Sequence, residues 1–151
     1  MTITLEAIKA EQTRIALMIA EFEKQPAALA FPISIQFPAL AEGEKFVGVI
    51  ISADGSRKHA VILLPGEANP ADWNTQLKWA ESIGGELFDR VEGALLFATM
   101  KDEFKPEWYW TREQHAANSN YAWGQDFSSG TQSGNDTIIK FRARAVRRVS
   151  L

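Results

Sequence analysis

The first clear pattern along the chain is helical. Leu5, Ile8, Ile15, Ile19 and Phe22 recur at alternating spacings of three and four, with Gln12 filling the one polar gap. This spacing predicts one helix over residues 3–25, with Thr4 as its N-cap and Pro26 ending it. In heptad terms Leu5, Gln12 and Ile19 share one seam position, and Ile8, Ile15 and Phe22 the other. Glu6, Lys9, Glu21, Glu23 and Lys24 fall on the opposite face. Two packings fit: a helix laid on its own domain, or a short self-associating coiled coil. The Pro-punctuated stretch that follows favours the second. So does the lone polar seam residue, because such a residue can set register and strand number. An isolated helix of this length is marginal in water without a partner surface. The expectation is a homo-oligomer, trimer or dimer, joined through residues 3–25.

Residues 26–45 read as a connector. Ile33, Ile35 and Phe37 alternate with Ser34 and Gln36 between Pro32 and Pro38, which predicts a short edge strand or an extended link. Residues 46–151 carry a globular pattern. FVGVIIS and HAVILL are apolar runs of strand length around an Asp54-Gly55 turn, a β-hairpin. Asn69 and Pro70 predict a helix start with Pro70 at the first helical position, an apolar stripe of Trp73, Leu77 and Ala80, and a stop at Gly84-Gly85. Asp89 predicts the cap of a second helix running to about Met100, with Val91, Ala94, Leu95 and Ala98 facing inward. Three strands follow. The first is WYW at 108–110; in the second, Tyr121, Trp123 and Phe127 alternate with Ala122, Gly124 and Asp126. The third runs Lys140–Val149, with Phe141, Ala143 and Ala145 on one face and Arg142 and Arg144 on the other. Hairpin, two helices, then strands is an α+β order rather than alternating βαβ.

Composition narrows the chemistry. The chain has 151 residues, 46% hydrophobic and 23% charged, a globular balance that excludes wholesale disorder. Trp73, Trp79, Trp108, Trp110 and Trp123 are expected in the core. There is no Cys, which removes thiol nucleophiles, Fe–S clusters and Cys-based zinc sites together; two His make a His-rich metal site improbable. Net charge is −3, so charge alone does not make the chain a nucleic-acid binder. No apolar run approaches a membrane span, and no signal-peptide core opens the chain, so synthesis in the cytoplasm without membrane insertion is expected. No P-loop, G-x-G-x-x-G or G-x-S-x-G is present, and no enzyme activity, cofactor or metal is assigned.

Two segments are candidates for recognition. From Glu113 to Ile139 there is no Lys or Arg, and amides and hydroxyls are dense. Such residues bind their own backbone in turns, so a solvated loop pair flanking a strand is one reading. The other is a binding surface, since loops on a rigid sheet that combine amides, hydroxyls and aromatics suit recognition. On that reading the ligand residues are Asn118, Ser119, Asn120, Gln132, Ser133, Asn135 and Asp136, with Tyr121 as a stacking platform. A single Ca²⁺ on Asp126, Asn135 or Asp136 has only weak support, because the spacing of a calcium loop is missing. The second segment is basic: Lys140, Arg142, Arg144, Arg147 and Arg148 fall within the last twelve residues with no acid. It offers a phosphate or sulfated-polymer site, or else outward arginines paired with Asp126 or Asp136. His59 and His115 read as surface residues.

The order GGEL-x-x-R-x-E at 84–92, WYW-T-x-E at 108–113, Ala122-Trp123, Phe127, Gly130 and RAVR at 144–147 resembles the Lcl C-terminal-like family. These domains of unknown function are common in bacterial and prophage genomes and are grouped with C-type-lectin-like folds. The resemblance covers roughly residues 46–151 and not the helix. It departs at Leu87-Phe88-Asp89-Arg90, where the family usually has Leu-Pro-Thr-Arg, and at Trp110-Thr111-Arg112, where it usually has Trp-Ser-Ser. Asp89 caps as Thr does, so the implied fold stands. The resemblance implies a C-type-lectin-like domain, two helices on a twisted, mainly antiparallel sheet, with long loops on one side that bind sugars, proteins or other surface ligands. The calcium-lectin triplets Glu-Pro-Asn and Gln-Pro-Asp and a Trp-Asn-Asp strand motif are absent. The enzymatic cousins need Cys or several His. What is expected is therefore a phage- or prophage-type binding module, oligomerised by its first helix and associated with a virion or cell surface, for a surface glycan or protein. The alternative is an intracellular phage-encoded interaction or inhibitor protein that occludes a host protein.

Overall fold

The computed structural model describes residues 2–26 and 36–151. The chain divides into two units, Met1–Phe37 and Pro38–Leu151. The first holds α1, Leu5–Lys24. Thr4 caps it, its Oγ1 accepting from the Ala7 N–H at 3.2 Å. Glu6 in the first turn and Lys24 in the last complement the helix dipole. No residue of α1 is buried, and Leu5, Ile8, Gln12, Ile15, Ile19 and Phe22 are all exposed. Ile33 and Ile35 of the expected connector strand lie outside the described residues.

The second unit is α+β, with two sheets. The first has the order β1 (Lys45–Ile51), β2 (Lys58–Leu63), β9 (Ala145–Ser150), β4 (Glu86–Leu87), all antiparallel. The second runs β3 (Ala68–Ala71), β8 (Phe141–Ala143), β5 (Trp108–Gln114), β6 (Tyr121–Asp126), β7 (Gln132–Asp136). Its only parallel pair is β5–β8. The predicted hairpin forms as read, with the Asp54 carboxylate accepting from Ser52 Oγ at 2.7 Å and from the Ser56 N–H at 3.0 Å.

The helix after the hairpin starts later than the sequence suggests. Pro70 lies in β3, and α2 is Trp73–Ser82, capped by Asp72 accepting from the Thr75 N–H at 2.8 Å. β3 is an edge strand whose pairing with β8 is interrupted between Ala68 and Ala71, so a proline there breaks no ladder bond. α2 ends as predicted: Gly84 has φ +82, its N–H reaches Glu81 O at 3.0 Å, and the Gly85 N–H reaches Ala80 O at 3.0 Å. That wrap delivers the chain into β4 and then to Asp89, the cap of α3 (Arg90–Met100).

α3 turns a different face inward from the one expected. Val91, Ala94 and Ala98 are exposed, Leu95 is half-buried, and Glu92, Gly93 and Leu96 are buried. The reason is an ion pair: the fully buried Glu92 carboxylate meets Arg148 of β9, which draws the Glu92 face into the protein. The third expected strand is two. Phe141–Ala143 belongs to the second sheet and Ala145–Ser150 to the first, and Arg144 sits at the switch with Nη1 on Glu103 O at 2.6 Å and Nη2 on Leu64 O at 3.1 Å. Arg144 is therefore buried rather than outward.

One core cluster joins Val61, Leu63 and Val146 of the first sheet to Phe88, Leu96, Phe104, Tyr109 and Phe127, with Phe104 and Phe127 stacked at 3.9 Å. The other gathers Trp73, Ala80, Leu87, Trp110, Ala122, Ala143 and Ala145. Trp73 and Trp110 are buried, while Trp79, Trp108 and Trp123 are half-buried.

Candidate functional site

The start of α3 is built into a junction. In β5 the pairing with β6 shifts between Trp110 and Gln114, and such an irregularity re-aims the side chains it carries. Arg112 N–H donates to Phe88 O at 2.9 Å, and the Glu113 carboxylate accepts from the Arg90 N–H at 2.5 Å. Glu113 thus occupies the positive end of α3 next to the capping box of Asp89 and Glu92.

The Arg90 side chain runs over β6. Its guanidinium lies 3.6 Å from the Trp123 ring, and its Nε donates to Gln132 Oε1 at 3.1 Å. Gln132 Nε2 in turn donates to Arg90 O and to Gln125 Oε1, each at 2.7 Å. His115 stacks on the same indole, its ring centroid 5.3 Å away, and lies over Gly134 of β7. A Cβ at Gly134 would stand 2.9 Å from His115 Cδ2, so only bare backbone leaves room for that ring.

Beside this stack lies an open depression of about 420 Å³, lined by Arg57, Asp89, Arg90, Val91, Ala94, Glu113 and Gln132. Arg57 Nη2 is bound to Asp89 and, at 3.2 Å, to Glu92. Burial works against the Asp89 carboxylate, but the Glu92 N–H and Arg57 outweigh it and hold its pKa below the usual aspartate value. Behind the lining, Glu92 also receives Arg148 Nε at 2.7 Å and Nη2 at 3.0 Å, and lies 3.3 Å from His59 Nε2. His59 is buried, not a surface residue.

The structure divides the expected ligand residues. Asn118, Ser119 and Asn120 do form an exposed turn between β5 and β6, with Asn118 Oδ1 accepting from the Asn120 N–H at 3.0 Å and Ser119 O from Gln114 Nε2 at 2.7 Å. Gln132, Ser133, Asn135 and Asp136 are not in a loop. They form β7, in register with β6 as Tyr121↔Asp136, Ala122↔Asn135, Trp123↔Gly134, Gly124↔Ser133 and Gln125↔Gln132. Strand alternation puts Gln132 and Asp136 on the Trp123 face with Tyr121, and Ser133 and Asn135 on the reverse. Of the eight, Gln132 alone lines the depression. Arg90, Glu113, Arg57 and Trp123 were missed as a group, because they come from α3, β5, the hairpin and β6 and no spacing links them.

The four arginines of the basic segment are spent on internal contacts. Arg142 pairs with Glu107 and Glu67 rather than with Asp126 or Asp136, and Arg147 holds Glu44 at 2.7 Å. Asp126 is bound by Ser128 and Ser129, and among the described residues no three His, Asp or Glu stand together as metal ligands. No helix among them is long and apolar enough to cross a membrane. Fold and surface together define an α+β domain with an arginine–indole stack at the edge of an open depression. No family model matches the chain, and no curated protein is detectably similar to it.

Proposed function

We propose that this protein is a non-enzymatic, multivalent binding module whose second unit presents the Trp123 face and its depression to a surface glycan. The observation that carries this is the stack itself: a half-buried indole held by Arg90 and His115, with Arg90 and Gln132 lining the open depression beside it. Aromatic area joined to fixed polar groups in a concave surface is the make-up of a recognition site. Exposed Tyr121 and the Asn118–Asn120 turn extend the same edge.

A C-type-lectin-like assignment for the second unit is supported by the β1–β2 hairpin closed by β9, the two helices α2 and α3, and the separate β5–β6–β7 layer. Multivalence comes from α1. A twenty-residue helix with an apolar seam and no buried residue needs a partner surface, and a second copy supplies an identical one. Joining several weak sites raises avidity without new contacts. The test is a screen of immobilised glycans and host-surface proteins with the intact chain beside an Ile15→Asp variant. Glycan retention that drops sharply in the variant is expected. Retention on a single protein, unchanged in the variant and with no glycan bound, would instead support an inhibitor of one host protein.

A further inference from the structure

We infer that Arg90 is the receptor for a carboxylate carried by a saccharide ligand. This rests on the glycan reading above and narrows it to acidic sugars. Six of the eight arginines, Arg14, Arg57, Arg112, Arg142, Arg147 and Arg148, are paired with carboxylates. Arg144 is buried on two backbone carbonyls. Arg90 is the exception. Its guanidinium is clamped against Trp123 at 3.6 Å and through Nε to Gln132 at 3.1 Å, and Nη1 and Nη2 have no partner among the described residues. Its neighbouring acid, Glu113, is engaged by the Arg90 backbone N–H instead.

A guanidinium held flat by an aromatic ring, with both Nη groups unused, matches a planar carboxylate in bidentate fashion. The clamp has already fixed the side chain, so little rotamer entropy is lost on binding. The lining also decides between anions. Arg57 and Arg90 are balanced there by Asp89 and Glu113, so a polyanion would meet as many negative groups as positive ones, whereas one directed carboxylate needs only the Arg90 fork. The remaining lining suits a sugar ring. Glu113 and Gln132 can exchange hydrogen bonds with hydroxyls, and exposed Val91 with Ala94 offers an apolar wall for a C–H face. A volume of about 420 Å³ falls in the range of small-ligand sites.

The test titrates the intact chain by calorimetry with the methyl glycosides of glucuronic acid and of N-acetylneuraminic acid, each beside its carboxyl methyl ester. At least one acid should bind, with its ester weaker by about tenfold, the loss expected for one charge-assisted bidentate pair. Arg90→Gln should abolish the acid–ester difference, and Arg90→Lys should restore part of it while the circular dichroism spectrum stays unchanged. If Arg90→Gln does not fold, Arg90→Lys carries the test by narrowing the difference. Equal binding of acid and ester, or a difference that Arg90 substitutions leave intact, would overturn the assignment. A neutral glycan bound equally well by wild type and Arg90→Gln would sink this inference and leave the glycan module standing. Absence of any glycan binding would sink both, and preference for a glutamate-terminated peptide over every sugar acid would replace the saccharide with a protein partner.

Discussion

The guanidinium of Arg148 lies across the carboxylate of Glu92, Nε to Oε1 at 2.7 Å and Nη2 to Oε2 at 3.0 Å, and ties β9, an inner strand of the first sheet, to the inner face of α3. Glu92 is fully buried, and its charge is compensated by Arg148 at short range and by Arg57 Nη2 at 3.2 Å. Removing Arg148 leaves the buried carboxylate with only the longer Arg57 contact, at a cost of up to about 3–5 kcal/mol. Arg148→Ala should lower the urea midpoint accordingly, and a combined Arg148→Met, Glu92→Leu variant should recover most of the loss. Equal destabilisation by the single and the double variant would show that packing rather than charge is at stake.

Asp89 gives the second unit an acid-side sensitivity. Burial opposes ionisation there, but the Glu92 N–H and Arg57 win and the folded pKa lies below the unfolded one. A depressed carboxylate pKa contributes stability that is complete above the unfolded value, near 3.9, and is lost as pH falls through the folded value. The thermal midpoint of the wild type should therefore fall as the pH drops below about 4. Asp89→Asn keeps a capping side chain and should be less stable at pH 7, with a flatter decline over that window. A parallel decline in the two proteins would contradict the assignment.

Gly85 allows two elements to meet closely. A Cβ there would stand 2.5 Å from Leu64 Cδ1 and 2.8 Å from Val146 O, and the carbonyl belongs to β9 backbone that cannot swing aside. Gly85→Ala should cost about 1–3 kcal/mol, the range for overpacking a tight interior. Gly55→Ala gives a contrast, because nothing approaches that position and only its φ of +71 is strained. Chemical denaturation of both variants checks the ranking.

The seam of α1 predicts assembly. Sedimentation of the intact chain should give a multiple of 16.8 kDa, and Ile15→Asp should bring it down to the monomer, since an unpaired charge in an apolar seam costs several kcal/mol. A monomeric wild type at micromolar concentration would end the multivalent proposal.

The legible parts of the fold were those with local causes. Thr4 and Asp89 as caps, Asp54-Gly55 as a turn and Gly84-Gly85 as a stop all act within a few residues, and all appear where the sequence places them. The departures have distant causes. Pro70 reads as a helix start until β8, formed seventy residues later, claims Ala68 and Ala71. The inner face of α3 is decided by Arg148, and the split at Arg144 by two carbonyls from elsewhere in the chain. The site follows the same rule. Gln132 was found because amide density is a local signal, while the Arg90–Trp123 stack exists only once α3 is laid against β6.

The position of β9 orders events during synthesis. Ala145–Ser150 lies between β2 and β4, so the first sheet cannot close before residue 150 has left the ribosome. The α1 segment emerges long before that. If α1 self-associates as proposed, neighbouring nascent chains on a polysome could join through their first helices while each second unit is still incomplete, which would make the assembly co-translational and favour partners read from the same message.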